Sequence, residues 1–293
     1  MNQVAVRHPD RTQVIVEPLA SVRNCRICGY ASRAIANGTV TNGFPLFSCG
    51  HCQTVLIENI PRPAALDLAY DHLFERGAYD AHREEFHQLK SGKTPRNVYR
   101  KHFLKRLEQM TPGRRLIEIG GGTGSFGVLA QNRGWKYTDY DISAVAIDFA
   151  ARLSLDARVF RLGGPPPIAV RSADAIVMWE VIEHVWDVHE YLATIFNALK
   201  GGGVFLLSTP NYLRPTYRQA VANGRPVGSV PPVHVNFFTP LALKRSLEAA
   251  GFDSVTVKKR RLYRPSLREP LSSLMLALGL LESTTLIGIA RKI

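Results

Sequence analysis

The sequence predicts an α/β protein: an open, Rossmann-like, mostly parallel sheet, preceded by a small cysteine-bearing β module and a helical bridge. Three observations predict it. Leu116 to Ile119 read as a buried strand that runs into Gly120, Gly121, Gly122 and Gly124. Phe126, Val128, Leu129 and Ala130 then fall at helical spacing, the pattern of strand, glycine turn and helix. A second strand ends in acids, Asp139 and Asp141, about twenty residues later, where such sheets grip a ribose. All four cysteines of the chain lie in two CxxC knuckles, Cys25 with Cys28 and Cys49 with Cys52.

Taken in order, the chain opens with a short strand, Gln13 to Val16, and no apolar leader core: Arg7, Asp10, Arg11 and Glu17 interrupt residues 1–20. A cytoplasmic protein is expected. Four thiolates at this spacing make a closed tetrahedral Zn²⁺ site, structural because no coordination position stays open. His51 is a spare ligand, and a pair of disulfides is the weaker alternative. Asn37-Gly38 and Asn42-Gly43 read as hairpin turns, so the module, residues 1–62, is a small β ribbon that needs its metal and a docking surface.

Pro61 and Pro63 end the ribbon. Residues 63–97 read as a helical bridge broken near Gly77 and Ser91-Gly92, either a plain connector or a lid that brings Tyr70 or Tyr79 to the site. Val98 to Met110 is an amphipathic helix leading into the first strand of the main domain, residues 98–293.

In that domain Glu118 precedes the glycines, placed to meet a cation at the strand's carboxyl end. The Gly-Lys-Ser/Thr ending of an ATP-type phosphate loop is missing. Gly134 closes the first helix, and Lys136 to Tyr140 is the second strand. Asp141-Ile142-Ser143 follows, with Asp141 favoured over Asp139 for the ribose and Ser143 capping the next helix. The third strand, Ala157 to Phe160, leads to Arg161, Leu162 and a Gly-Gly-Pro-Pro-Pro run without an acid. Ala173 to Trp179 is the fourth strand. Trp179 and Glu180 sit at its carboxyl end, and Glu180, Glu183 and His184 are expected on one face of a helical turn. A helix through Leu192, Ile195, Phe196 and Leu199 ends at Lys200-Gly201-Gly202-Gly203, and strand Val204 to Leu207 follows.

The glycine segment with its preceding acid, the Asp-Ile-Ser segment, the Glu-His pair after strand four and the Thr-Pro-Asn after strand five together resemble class I S-adenosylmethionine-dependent methyltransferases. With the two knuckles, the chain is similar to members that carry an N-terminal zinc-binding module. The resemblance implies a seven-stranded sheet with S-adenosylmethionine held by Glu118, Gly120, Gly121, Gly122, Gly124, Asp141, Ile142, Leu162, Trp179 and Glu180. It also implies structural Zn²⁺ on Cys25, Cys28, Cys49 and Cys52, and catalytic work by His184, Glu183 and His234. Neutral imidazole can take a proton from a hydroxyl near pH 7; the alternative is that His184 only orders its loop.

Residues 212–240 form a long proline- and glycine-rich loop, expected to face the acceptor. Its His234-Val235-Asn236-Phe237-Phe238-Thr239 resembles a recurrent segment of the zinc-bearing methyltransferases, with His234 a base, an orienting group or only a pin for the loop. Thr239 caps helix Leu241 to Ala250, then strands Val255 to Lys258 and Thr284 to Arg291 flank an apolar segment, Leu271 to Leu281, too short to span a bilayer.

Net charge is +13, with Lys258, Lys259, Arg260, Arg261 and Arg264 the densest cluster. It permits an anionic partner, but the cluster lacks the interleaved aromatics of a single-strand platform. The leading expectation is therefore O-methylation of a small, anionic or glycosylated acceptor, a sugar or natural-product or surface-glycan intermediate, by a monomer or homodimer. An RNA methyltransferase is second. C-methylation of a nucleotide-linked sugar is third, because the similar sugar enzymes carry a further C-terminal domain.

Overall fold

A computed structural model describes residues 4–7, 13–16, 25–31, 34–57, 86–93, 100–161, 163–224, 230–231, 233–260 and 284–293. Most of the bridge, Leu162, Arg261, Arg264 and the apolar segment Leu271 to Leu281 lie outside them, so the expectations placed there go untested. Among the described residues no helix is long and apolar enough to cross a membrane.

The N-terminal part holds β1 (Val4–Arg7), β2 (Gln13–Val16), β3 (Ala34–Thr41), β4 (Phe44–Cys49) and β5 (Val55–Ile57). The main domain follows with α1 (Lys101–Met110), β6 (Arg115–Ile119), α2 (Ser125–Gln131), β7 (Lys136–Asp141), α3 (Ala144–Ala151) and β8 (Asp156–Val159). Then come β9 (Ala173–Trp179), α4 (Val188–Ala198), β10 (Leu199–Pro210), α5 (Pro215–Ala222), β11 (Asn236–Phe237), α6 (Pro240–Ala249), β12 (Ser254–Arg260) and β13 (Thr285–Arg291).

Seven strands form one sheet in the order β12-β13-β10-β9-β6-β7-β8. All neighbours are parallel except β13, which runs antiparallel to β10 and β12. The expected Rossmann-like class is the one observed. The strand order reverses between β6 and β9, the switch point where open α/β sheets hold ligands. Every residue of β9 is buried, as suits a central strand covered on both faces.

The sheet's two faces are covered separately. Leu116, Ala175, Val177 and Leu206 pack with Phe103, Leu104 and Leu107 of α1 and Phe126 of α2. Ile117, Ile176, Phe205 and Leu207 pack with Leu192 and Ile195 of α4 and Leu243 and Leu247 of α6. Truncating any of these leucines, isoleucines or phenylalanines to alanine costs about 2–5 kcal/mol. Helix starts are fixed by side-chain caps: Ser143 accepts from the Ala146 amide, Asp187 from that of Glu190, and Thr239 from that of Ala242.

Strand β10 is longer than the sequence pattern indicates. Lys200 to Gly203 is not a turn but an irregularity inside the strand, between the Leu199 and Val204 pairings with β9.

The cysteine module does not end at its own strands. Its sheet has the order β11-β5-β4-β3, so a strand from the loop 212–240 completes it. Phe44, Leu46, Val55 and Ile57 accordingly share a core with Tyr212, Val221, Val235 and Phe237.

Candidate active site

The glycine loop sits between the ends of β6 and β7. Gly120 (φ 77°) turns the chain at the tip of β6 and donates its N–H to the Tyr140 carbonyl at 2.7 Å. A Cβ on Gly121 would strike the Asp139 carboxylate, whereas Gly122 (φ 59°) faces open space with nothing within 4 Å of where a Cβ would stand. Here the main chain offers a bare surface on which a ligand can lie.

Three carboxylates gather at this edge. Asp139 accepts from the Gly121 amide at 3.0 Å and is wholly enclosed. Asp141, at the strand tip, accepts from Gly122 at 3.0 Å and Ser143 at 2.8 Å. Of the two acids weighed for the ribose, Asp139 lies behind the loop and Asp141 borders the opening with a 7% exposed side chain. Both Asp141 oxygens keep lone pairs for vicinal hydroxyls. Burial, its largest influence, raises the Asp141 pKa; amides of Ser143, Gly122 and Ile142 oppose it.

Glu118 is fully buried and accepts from the Tyr137 hydroxyl at 2.5 Å, with the Arg100 guanidinium 3.8 Å away. Burial pushes its carboxyl up to about 7, against the pull of Arg100 and Tyr137 and with help from nearby Asp141. Such a cluster of acids in a low-dielectric setting favours a cationic ligand. Trp179, at the carboxyl end of β9, is 2% exposed, with its ring packed against Phe103 and Phe126 and beneath Arg100. Ile142 is half-buried beside Asp141.

The segment after β9 is not the helical turn the spacing indicates. Glu180 takes a left-handed conformation, φ 54°, with its amide held by Ser208, so the turn proper runs from Val181 to His184. A non-glycine residue in this region is strained, and such strain clusters at functional sites. The turn packs directly on the glycine loop: a Cβ on Gly120 would sit 2.5 Å from Cγ2 of Val181.

That turn brings Glu183 and His184 to His234. The two imidazoles meet edge to face with centroids 4.5 Å apart. His184 Nδ1 lies 2.8 Å from the Val233 carbonyl, which can only accept, so Nδ1 carries the proton and Nε2 the lone pair. Nε2 is 4.0 Å from Glu183 Oε1, and Thr209 donates to Glu183 Oε2 at 2.9 Å. Burial lowers the His184 pKa to about 4, and burial with the neighbouring His184 holds that of His234 well below the ordinary imidazole value, so both rings are neutral near pH 7. Burial and the neighbouring Glu180 raise that of Glu183.

Two participants escaped the sequence reading. Tyr217, on α5, places its hydroxyl 2.8 Å from His234 Nδ1, and nothing in its local pattern marks it. Arg26 stands between the first two cysteines, where it read as spacer, yet it is 6% exposed. Its guanidinium donates to the carbonyls of Ile57 and Val235 and to Asn236 Oδ1, at 3.0, 2.9 and 2.8 Å. Asn236 in turn donates to the carbonyls of Ile182 and Val185, at 3.3 and 2.7 Å. The cysteine knuckle is thereby tied to the turn bearing Glu183 and His184. A charged residue in so closed a place would have been legible only from its partners, about 30 and 210 residues away.

The four cysteines are buried, unpaired as disulfides, and bring their Sγ atoms within 4.8 Å of one another. Amides of Ile27 and Cys52 point at Cys25 Sγ and Cys49 Sγ, both at 3.4 Å. Contact with the Cys52 thiol lowers the Cys25 pKa to about 5, while the same contact raises that of Cys52 and burial raises that of Cys28 to about 11. The set fits a tetrahedral thiophilic ion with N–H···S support.

A profile of the family described as "Methyltransferase domain" matches residues 93–257. A protein described as a probable S-adenosylmethionine-dependent methyltransferase of Mycolicibacterium smegmatis is 33% identical over 159 residues, 53% of this chain and 59% of that one. The mitochondrial ubiquinone biosynthesis O-methyltransferase of Homo sapiens is 27% identical over 218 residues, 68% of this chain and 57% of that one. The chain thus spans less than two thirds of these curated relatives. Among solved structures, a SAM-dependent methyltransferase from Thermotoga maritima superposes with a TM-score of 0.53 at 20% identity, over 76% of this chain and 99% of that one, a likeness of fold.

Proposed function

We propose, for a chain that belongs to the methyltransferase domain family, that the methyl donor is S-adenosylmethionine and the acceptor an oxygen of a small molecule. A sugar or a natural-product or surface-glycan intermediate is the acceptor class that fits. The relatives' descriptions support the donor, and the human O-methyltransferase supports oxygen as acceptor.

In this reading the ribose hydroxyls meet Asp141, the sugar edge lies on Gly122, and the cationic amino-acid and sulfonium end faces the carboxylates around Glu118. The observation that carries the acceptor side is the packing of the Val181–His184 turn on Gly120. It sets a buried imidazole, whose Nδ1 is held by the Val233 carbonyl, beside the donor loop. Transfer is in line: the acceptor oxygen forms its bond to the methyl carbon as the carbon–sulfur bond breaks. Sulfur keeps the electron pair as a thioether, and the hydroxyl proton passes to the His184–His234 pair. Alignment supplies most of the acceleration and the base about 10²–10⁴-fold. The cysteines hold a structural Zn²⁺, which fixes Arg26 and through it the acceptor segment.

Labelled methyl transfer to a panel of sugar and phenolic hydroxyls tests this. His184→Ala should lower turnover by about 10²–10⁴-fold and leave S-adenosylmethionine affinity near wild type. Unchanged turnover in both His184→Ala and His234→Ala would remove the base. The net charge of +13 favours RNA as a second acceptor class; methyl transfer to RNA with a steep salt dependence would put it first.

A further inference from the structure

Two groups of metal-ligating side chains stand out among the described residues. One is the cysteine set. In the other, a carboxylate oxygen of Glu183 and ring nitrogens of His184 and His234 all lie within 4.8 Å of one another. We propose that Glu183, His184 and His234 hold a divalent first-row transition ion that keeps open positions for the acceptor hydroxyl and water.

Each of the three has one polar atom engaged by a neighbour, and one ligand atom of each lies within 4.8 Å of the other two. His184 gives Nδ1–H to the Val233 carbonyl, and His234 Nδ1 is met by the Tyr217 hydroxyl. Glu183 Oε2 is held by Thr209, which leaves Oε1 4.0 Å from His184 Nε2. Metal-ligating histidines have this arrangement, with the far ring nitrogen fixed by a carbonyl or another oxygen. Ligand atoms about 2.1 Å from a shared ion stand roughly 3–3.5 Å apart, so the Glu183–His184 pair at 4.0 Å closes by about 0.5–1 Å and a pair at the 4.8 Å limit by about 1.3–1.8 Å.

Charge points the same way. Glu183 is 1% exposed, and Glu180 contributes a second carboxylate whose Oε1 is buried without a hydrogen-bond partner. Adjacent buried carboxylates are costly unless a cation joins them, and neutral imidazoles bring lone pairs without charge. Two nitrogens and one oxygen suit Mn²⁺, Fe²⁺, Co²⁺ or Zn²⁺, and three protein ligands leave open sites. Bound there, the ion holds the acceptor oxygen and acidifies its hydroxyl. With both imidazoles engaged as ligands, Glu180 rather than the histidine pair would take the hydroxyl proton as the oxygen–methyl bond forms and the carbon–sulfur bond breaks. The ion's part in turnover rests on the acceptor reading above; its binding rests on the three side chains alone.

The test titrates zinc-loaded full-length chain with Mn²⁺ alone, followed by the loss of the free-ion spin-resonance signal. One Mn²⁺ per chain is expected beyond the thiolate-bound zinc. Glu183→Gln, His184→Gln and His234→Gln should each weaken it at least about tenfold, with circular dichroism and S-adenosylmethionine affinity retained. A folded wild type that binds the methyl donor but takes up no Mn²⁺, Co²⁺ or further Zn²⁺ overturns the proposal, as does uptake indifferent to all three substitutions. Methyl transfer without any ion uptake defeats the metal site alone; ion uptake without transfer to any hydroxyl upholds it and defeats the acceptor reading alone.

Discussion

The proposed donor cradle and the proposed acceptor pocket lie against each other where Val181 meets Gly120 and are built by opposite means. The cradle comes from one continuous stretch, β6 to the start of α3, and its bonds join residues 18 or 19 apart, Gly121 to Asp139 and Gly122 to Asp141. The pocket is assembled from three distant pieces: the cysteine knuckle, the Val181–His184 turn and the loop ending in β11. One guanidinium, that of Arg26, reaches Val235 and Asn236 across more than 200 residues. Donor binding should therefore survive injuries that disorder the pocket, and the module's metal should matter to transfer more than to donor affinity.

The sharpest break in the cradle is Asp141→Ala. Losing charge-assisted contacts to two hydroxyls should cost about 3 kcal/mol of S-adenosylmethionine affinity, or roughly 100-fold by calorimetry. Retained affinity would hand the ribose to another group.

Arg26→Ala attacks the pocket. It strands the buried acceptors on Ile57, Val235 and Asn236, at about 2–3 kcal/mol of stability in denaturant titration. Turnover should fall while donor affinity stays within about threefold. Removing zinc with a chelator should do the same in milder form; equal loss of donor binding would show the two regions to be one.

The smallest effect concerns Glu118, which shares its surroundings with Tyr137, Asp139, Asp141 and Arg100. Its carboxyl, held up to about 7, binds its proton more tightly folded than unfolded. Its contribution thus favours the fold at low pH and is lost as pH rises from the ordinary carboxylate range through about 7. Glu118→Gln should flatten the decline in stability between pH ~5 and ~8 by on the order of 1–2 kcal/mol. It should also weaken donor binding most at the higher pH, where the carboxylate would face the donor's positive charge.

What the sequence disclosed follows the same division. Strands β6, β7 and β9, the caps at Ser143 and Thr239 and the glycine loop are local patterns, and the structure has them at or within a residue or two of their expected places. Asp141 was favoured over Asp139 by its Asp-Ile-Ser context, and in the structure Asp141 ends β7 while Asp139 is enclosed. The pocket was legible only in fragments. His184, Glu183 and His234 stood out by residue type, but Tyr217 and Arg26 owe their roles to partners that chain folding alone brings near. The Glu180–His184 spacing misled because a left-handed Glu180 breaks the helical geometry that the spacing assumes. Likewise Lys200 to Gly203 reads as a turn by composition, yet it lies inside β10 as an irregularity between the Leu199 and Val204 pairings with β9.

A structure of the zinc-loaded chain with S-adenosylhomocysteine tests the central claim most directly. The account predicts the ribose on Asp141, the amino-acid end towards Glu118, and the thioether sulfur between the Gly120–Gly124 loop and the Glu183–His184–His234 cluster. A ligand seated away from the ends of β6 and β7, or a sulfur turned from those three side chains, would contradict it.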